Sequence, residues 1–77
     1  MTKLQFAKRL KELRAESSLT QAKICDELKI TQKLYEYYES ENNSRVPTYK
    51  NQIKLANFFN CSIDYILCQT DNPKRNY

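Results

Sequence analysis

Gln21 and Gln32 each follow a threonine, in the stretch LTQAKICDELKITQKLYEYYE. A threonine before an apolar-periodic run caps a helix, which places the following glutamine on the exposed first turn. A carboxamide carries a donor and an acceptor side by side. At the start of one helix it can meet a phosphate, assisted by the positive end of the helix dipole. At the start of a second helix it can pair in bidentate fashion with the edge of an adenine. The plainer reading of Gln32 is a solvated helix residue, and both readings stand at this point.

Other chemistries are excluded by what the chain lacks. It has no histidine and no glycine. Without histidine, the common acid–base and nucleophile arrangements disappear. Without glycine there is no Walker or Rossmann phosphate loop. The cysteines, Cys25, Cys61 and Cys68, have no CxxC spacing and no histidine to complete a zinc set. They read as small buried apolar residues in a reducing cytosol. No metal and no cofactor is implied, and no enzyme is expected.

The elements that must position the glutamines are helices. With 77 residues the chain is one domain or part of one. A domain of that size buries only about 60% of its unfolded surface, leaving little room for an enclosed active site. The net charge of +4 permits a polyanionic partner without requiring one. No apolar run approaches ~20 residues and no signal-peptide pattern appears, so a soluble, cytoplasmic protein without a membrane partner is expected. Thr2 caps a first helix, with Gln5 at the capping-box position and Leu4, Phe6, Leu10 and Leu13 as its apolar face. Lys3, Lys8, Arg9, Lys11 and Arg14 cover much of the rest, and the basic face from Lys8 to Arg14 reads more readily as solvated than as a DNA contact. Thr20 caps a second helix with Ile24, Cys25 and Leu28 inward. Lys29-Ile30 breaks it, and Thr31 caps a third with Leu34, Tyr35 and Tyr38 as apolar positions. Residues 40–47, SENNSRVP, form a loop. Thr48 caps a fourth helix whose Ile53, Leu55, Ala56, Phe58 and Phe59 make it the most apolar, so it is expected at the centre. Asn60 suits a left-handed helix end. Ser62 caps a short fifth helix carrying Ile63, Ile66 and Leu67, and no window alternates as a strand does.

Two short helices joined by a tight break form a helix-turn-helix pattern, in which the second helix presents its first turn to base edges in the major groove. With FAKRLKELR before it and VPTYKNQIKLANFFNCSIDYIL after it, the stretch resembles the phage-repressor/Cro family of helix-turn-helix proteins. QTDNP resembles the end of DNA-binding modules in repressors of mobile elements. The resemblance implies an all-α, five-helix, lambda-repressor-like domain over residues 1–68, with the helix-turn-helix at about 20–39 and a tail over 69–77.

The same resemblance implies roles. Gln32, Lys33, Leu34 and Tyr37 would face bases, with Leu34 near a thymine methyl. Gln21, Asn43, Ser44 and Arg45 would meet phosphates. Arg14 and Glu39 would pair, tying the first helix to the end of the recognition helix. Ile63, Tyr65 and Ile66 are dimer candidates, against the alternative of packing within one subunit. Tyr77 in the tail is also hard to bury in one subunit. Lys33 fits a base or a phosphate, and Tyr37 fits DNA contact or packing. Glu36 repels phosphates but accepts from a cytosine amino group. The chain departs from the family where Lys29 stands in the turn in place of glycine, and where Tyr35 and Tyr38 replace aliphatic residues. Those tyrosines need partners for their hydroxyls.

The function implied is a sequence-specific regulator of transcription that binds double-stranded DNA as a homodimer on a palindromic operator, most simply a repressor from a phage or mobile element. The rival is an interaction module, such as an antitoxin, whose main partner is a protein. Glu36, Glu39, Glu41 and the exposed tyrosines motivate it.

Overall fold

The computed structural model describes residues 2–74. Tyr77 lies outside the described residues. The elements are α1 (Lys3–Ser17), α2 (Gln21–Leu28), α3 (Gln32–Glu39), α4 (Tyr49–Phe59) and α5 (Ile63–Ile66), with no strand among the described residues. Every helix starts on a hydroxyl. Thr2, Thr20, Thr31, Thr48 and Ser62 each accept a backbone N–H from the first turn. Each such cap stabilises its helix by ~1 kcal/mol, which matters for helices this short. At α1 the box is complete, because the Gln5 side chain accepts the Thr2 N–H in return.

Three helices end on a left-handed residue: Ser18 (φ 61°), Lys29 (φ 57°) and Asn60 (φ 54°). Asn60 is suited to that conformation, whereas Lys29 carries a Cβ that crowds the following carbonyl. Lys29→Gly is therefore expected to raise stability by about 1 kcal/mol, or roughly 4–8 °C in a thermal melt. Lys29→Ala, which keeps the Cβ, should bring no such gain.

The core is built where α1 meets α3. Phe6, Leu10, Tyr35 and Tyr38 are fully buried, together with Ile24, Leu55, Cys61 and Ile66. The Phe6 and Tyr38 rings meet edge-on, with centroids 6.4 Å apart and planes at 74°. The two core tyrosines treat their hydroxyls differently. Tyr38 Oη accepts from Asn51 Nδ2 at 2.9 Å, which links α3 to α4. Tyr35 Oη is buried with no hydrogen bond of standard geometry.

Three expectations are corrected. Leu4 does not join the apolar face of α1; it is 44% exposed, and Phe6, Ala7, Leu10 and Leu13 form that face. Two residues of helix turn Leu4 about 200° away from Phe6. The apolar α4 is not central. Only Leu55 and Ala56 are buried, Ile53 is exposed, and Phe58 and Phe59 form an edge-on pair at the rim of the core. It packs mainly against α2 and α5, which cover Phe58 and Phe59 only in part. Lastly, Cys25 and Cys61 are buried but Cys68 is half-exposed, at φ 62° just past α5.

The segment after α5 bonds back to the body. Gln69 N–H reaches the Asp64 carbonyl at 2.8 Å, and the Pro73 carbonyl accepts from Ser62 N–H at 3.0 Å. Arg9, placed by sequence on a solvated face, anchors this end. Its guanidinium donates to the Tyr65 carbonyl at 2.7 Å, meets Asp71 at 3.3 Å and lies 3.9 Å from the Tyr65 ring centroid. Among the described residues, no helix is long and apolar enough to cross a membrane.

Candidate nucleic-acid interface

The turn between α2 and α3 is closed from both sides. The Lys29 and Ile30 N–H groups both reach the Cys25 carbonyl, and Lys54 Nζ caps the Leu28 carbonyl at 3.2 Å. Thr31 then starts α3 at a fixed angle. Along α3 the inward residues are Tyr35, Tyr38 and Glu39. Gln32, Lys33 and Glu36 are exposed, while Leu34 and Tyr37 are half-buried. The Gln32 side chain makes no hydrogen bond among the described residues, so its carboxamide is presented whole to solvent. Leu34 packs partly against the core. Lys33, Tyr37 and Arg45 are brought together: Lys33 Nζ lies 6.0 Å and the Arg45 guanidinium 5.3 Å from the Tyr37 ring centroid. A cation over an aromatic face is held by the ring quadrupole at little cost in desolvation. Glu36 shares the exposed side of the helix with these groups.

Behind this surface lies a buried carboxylate. Glu39 is 4% exposed. It accepts from Arg14 Nε at 2.7 Å and Arg14 Nη2 at 3.0 Å, a bidentate pair joining α1 to the end of α3. Gln21 Nε2 adds a third bond at 3.2 Å. Gln21 is thus half-buried, with one amide hydrogen committed to Glu39 and the second available for an acceptor outside. The hydrogen bond to Glu39 pushes the Arg14 guanidinium further up from its ordinary value. Burial, and then the Glu39 charge, pushes the Tyr35 phenol up, which keeps it protonated beside the pair.

The loop after α3 is ordered by side chains. Asn43 Oδ1 accepts the Arg45 N–H at 2.8 Å, an Asx turn that fixes the direction of Arg45. Glu41 pairs with Lys11 at 3.1 Å. Ser44 and Arg45 are exposed and Asn43 is half-buried. The residue that sequence reading missed is Lys3. Its ammonium donates to the carbonyls of Tyr37, Ser40 and Asn43, each at 2.7 Å. Burial lowers its pKa from the ordinary lysine value. No local signal marks it, because its partners lie 34 to 40 residues away.

Of the dimer candidates, Ile63 and Tyr65 are half-buried. Ile66 is fully buried in the core and has no surface to offer a second subunit.

An exposed carboxamide on the first turn of a helix held behind a tight turn is the arrangement of a helix-turn-helix reader, and residues 7–72 match the family described as "Helix-turn-helix domain". The chain belongs to that helix-turn-helix family. Relatives from Bacillus subtilis (strain 168) agree. The "Uncharacterized HTH-type transcriptional regulator YqaE" is 39% identical over 69 residues, covering 90% of this chain and 58% of the relative. The "Uncharacterized HTH-type transcriptional regulator YobD" is 34% identical over 68 residues, covering 88% of this chain and 59% of the relative. The "HTH-type transcriptional regulator ImmR" is 33% identical over 73 residues, covering 95% of this chain and 56% of the relative. The helix-turn-helix chain thus spans somewhat over half the length of these relatives. No solved structure gives a significant match.

Proposed function

We propose that this helix-turn-helix protein is a transcriptional regulator that reads double-stranded DNA by sequence, as a homodimer on a palindromic operator. The observation that carries the proposal is the exposed first turn of α3, where Gln32 and Lys33 stand clear of the fold beside the Tyr37–Arg45 stack. In this reading α2 crosses the DNA backbone and α3 enters the major groove. Gln32 pairs with an adenine and Lys33 and Tyr37 meet neighbouring base edges. Leu34 touches a thymine methyl. Gln21, Asn43, Ser44 and Arg45 hold phosphates on either side. The half-exposed Ile63 and Tyr65 form part of the dimer contact. A dimer covering a promoter represses by occlusion, and the regulator acts in the cytoplasm on phage or mobile-element genes. The names of the relatives, all HTH-type transcriptional regulators, support the regulatory role. No enzymatic step is involved.

The test is a binding selection from random duplex DNA at low and high salt. A palindromic motif with half-sites about one turn (10–10.5 bp) apart is the expected result. On the selected duplex, Gln32→Ala should cost ~1–3 kcal/mol and relax preference at one position. Arg45→Ala should weaken all sequences similarly and reduce the salt slope by about one. Enrichment of no motif at either salt would favour a protein partner for this surface.

A further inference from the structure

The C-terminal end of α3 differs from those of α1, α2 and α4. Those three close on a left-handed residue whose N–H returns to a helix carbonyl. At α3 the cap residue Ser40 is extended (φ −76°, ψ 127°), and its N–H reaches only the Tyr37 carbonyl at 3.3 Å. The last carbonyls of a helix need donors, and its negative end favours a cation. Here both are supplied by a side chain from α1. All three hydrogens of the Lys3 ammonium are engaged, one on the last turn of α3, one on its cap and one in the loop.

Two of the three residues that Lys3 grips are the ones Arg45 depends on. Tyr37 gives its carbonyl to Lys3 and its ring to the Arg45 guanidinium. Asn43 gives its carbonyl to Lys3 and its side-chain oxygen to the Arg45 N–H. We infer that Lys3 is a positioning residue that sets Arg45 against the DNA backbone by clasping the end of α3 to the loop that follows. The inference rests on the DNA-binding reading above. Only a primary ammonium brings three donors to one point. A guanidinium is a planar fork, and a methionine donates nothing.

The experiment uses the full chain with Lys3→Met and Lys3→Arg, each alone and combined with Arg45→Ala. Amide hydrogen exchange on the free protein reads the clasp, and titration of the selected duplex across a salt series reads its consequence. With Lys3→Met, exchange at the Arg45 amide should quicken by roughly tenfold or more while the core of α1 stays protected. The salt slope should drop by about one, as for Arg45→Ala, and the double variant should bind no more weakly than Arg45→Ala alone. Lys3→Arg keeps the charge and the fold but should not restore the full slope. An unchanged Arg45 amide, independent losses in the double variant, or full recovery with Lys3→Arg would each overturn the inference. If the wild-type chain binds no duplex, the DNA reading fails and the role falls with it, a result separable from clasp failure by the exchange data.

Discussion

Replacing Arg14 by methionine should destabilise the fold by about 3 kcal/mol, the lower end of the 3–5 kcal/mol typical for breaking a buried ion pair. Glu39 is 4% exposed and draws two of its three hydrogen bonds from Arg14. Without Arg14 the carboxylate would sit buried with no countercharge, held by the Gln21 amide and beside the Tyr35 phenol. Water reaches the guanidinium side more easily, with 30% of that side chain exposed, which sets the loss at the lower end. A domain of 77 residues has roughly 4–12 kcal/mol of stability in total. The loss should therefore appear as a fall of more than ~10 °C in melting temperature. Urea denaturation checks the size. Arg14→Met combined with Glu39→Met should recover most of the loss, because no unpaired charge then remains. A single variant within ~0.5 kcal/mol of wild type would mean that the pair does not hold α3.

Phe6→Ala should cost about 3–5 kcal/mol, a comparable loss by a different mechanism. The ring is fully buried and meets Tyr38 edge-on, and Tyr38 in turn bonds to Asn51 of α4. Truncation leaves a cavity at the α1–α3 contact and removes that ring pair. Phe58→Ala, at the half-buried rim, should cost clearly less under the same denaturation, although α4 is the more apolar helix of the two. Equal losses would place the core's centre nearer α4. Both α1 substitutions act on the platform beneath α3. At temperatures where the variant stays folded, DNA affinity should be close to wild type, falling with the folded fraction on warming.

Much of the architecture was legible locally. Thr2, Thr20, Thr31, Thr48 and Ser62 were each readable as caps, because a hydroxyl and the N–H it accepts lie within one turn. Tyr35 and Tyr38 were readable as core from their i, i+3 spacing, and Asn60 as a left-handed end. The helix-turn-helix was readable from two capped helices around Lys29-Ile30, and the family match confirms it. Burial was less legible. The apolar richness of α4 does not reveal that α1 and α3 enclose the centre, and Leu4 looks apolar wherever its helix faces.

The amino-acid order sets the helices, their starts and stops, and which residue types ride on the exposed turn of α3, since all of these depend on groups within about four positions of one another. What tertiary folding alone decides is who meets whom across the chain. Arg9 grips α5, Gln21 shares the Glu39 carboxylate, and Lys3 takes three carbonyls at the end of α3. A lysine or arginine on a helix looks solvated until the packing brings an orphaned carbonyl within its reach. The burial of aromatic and aliphatic side chains brings those partners together, and it acts at distances no local pattern records.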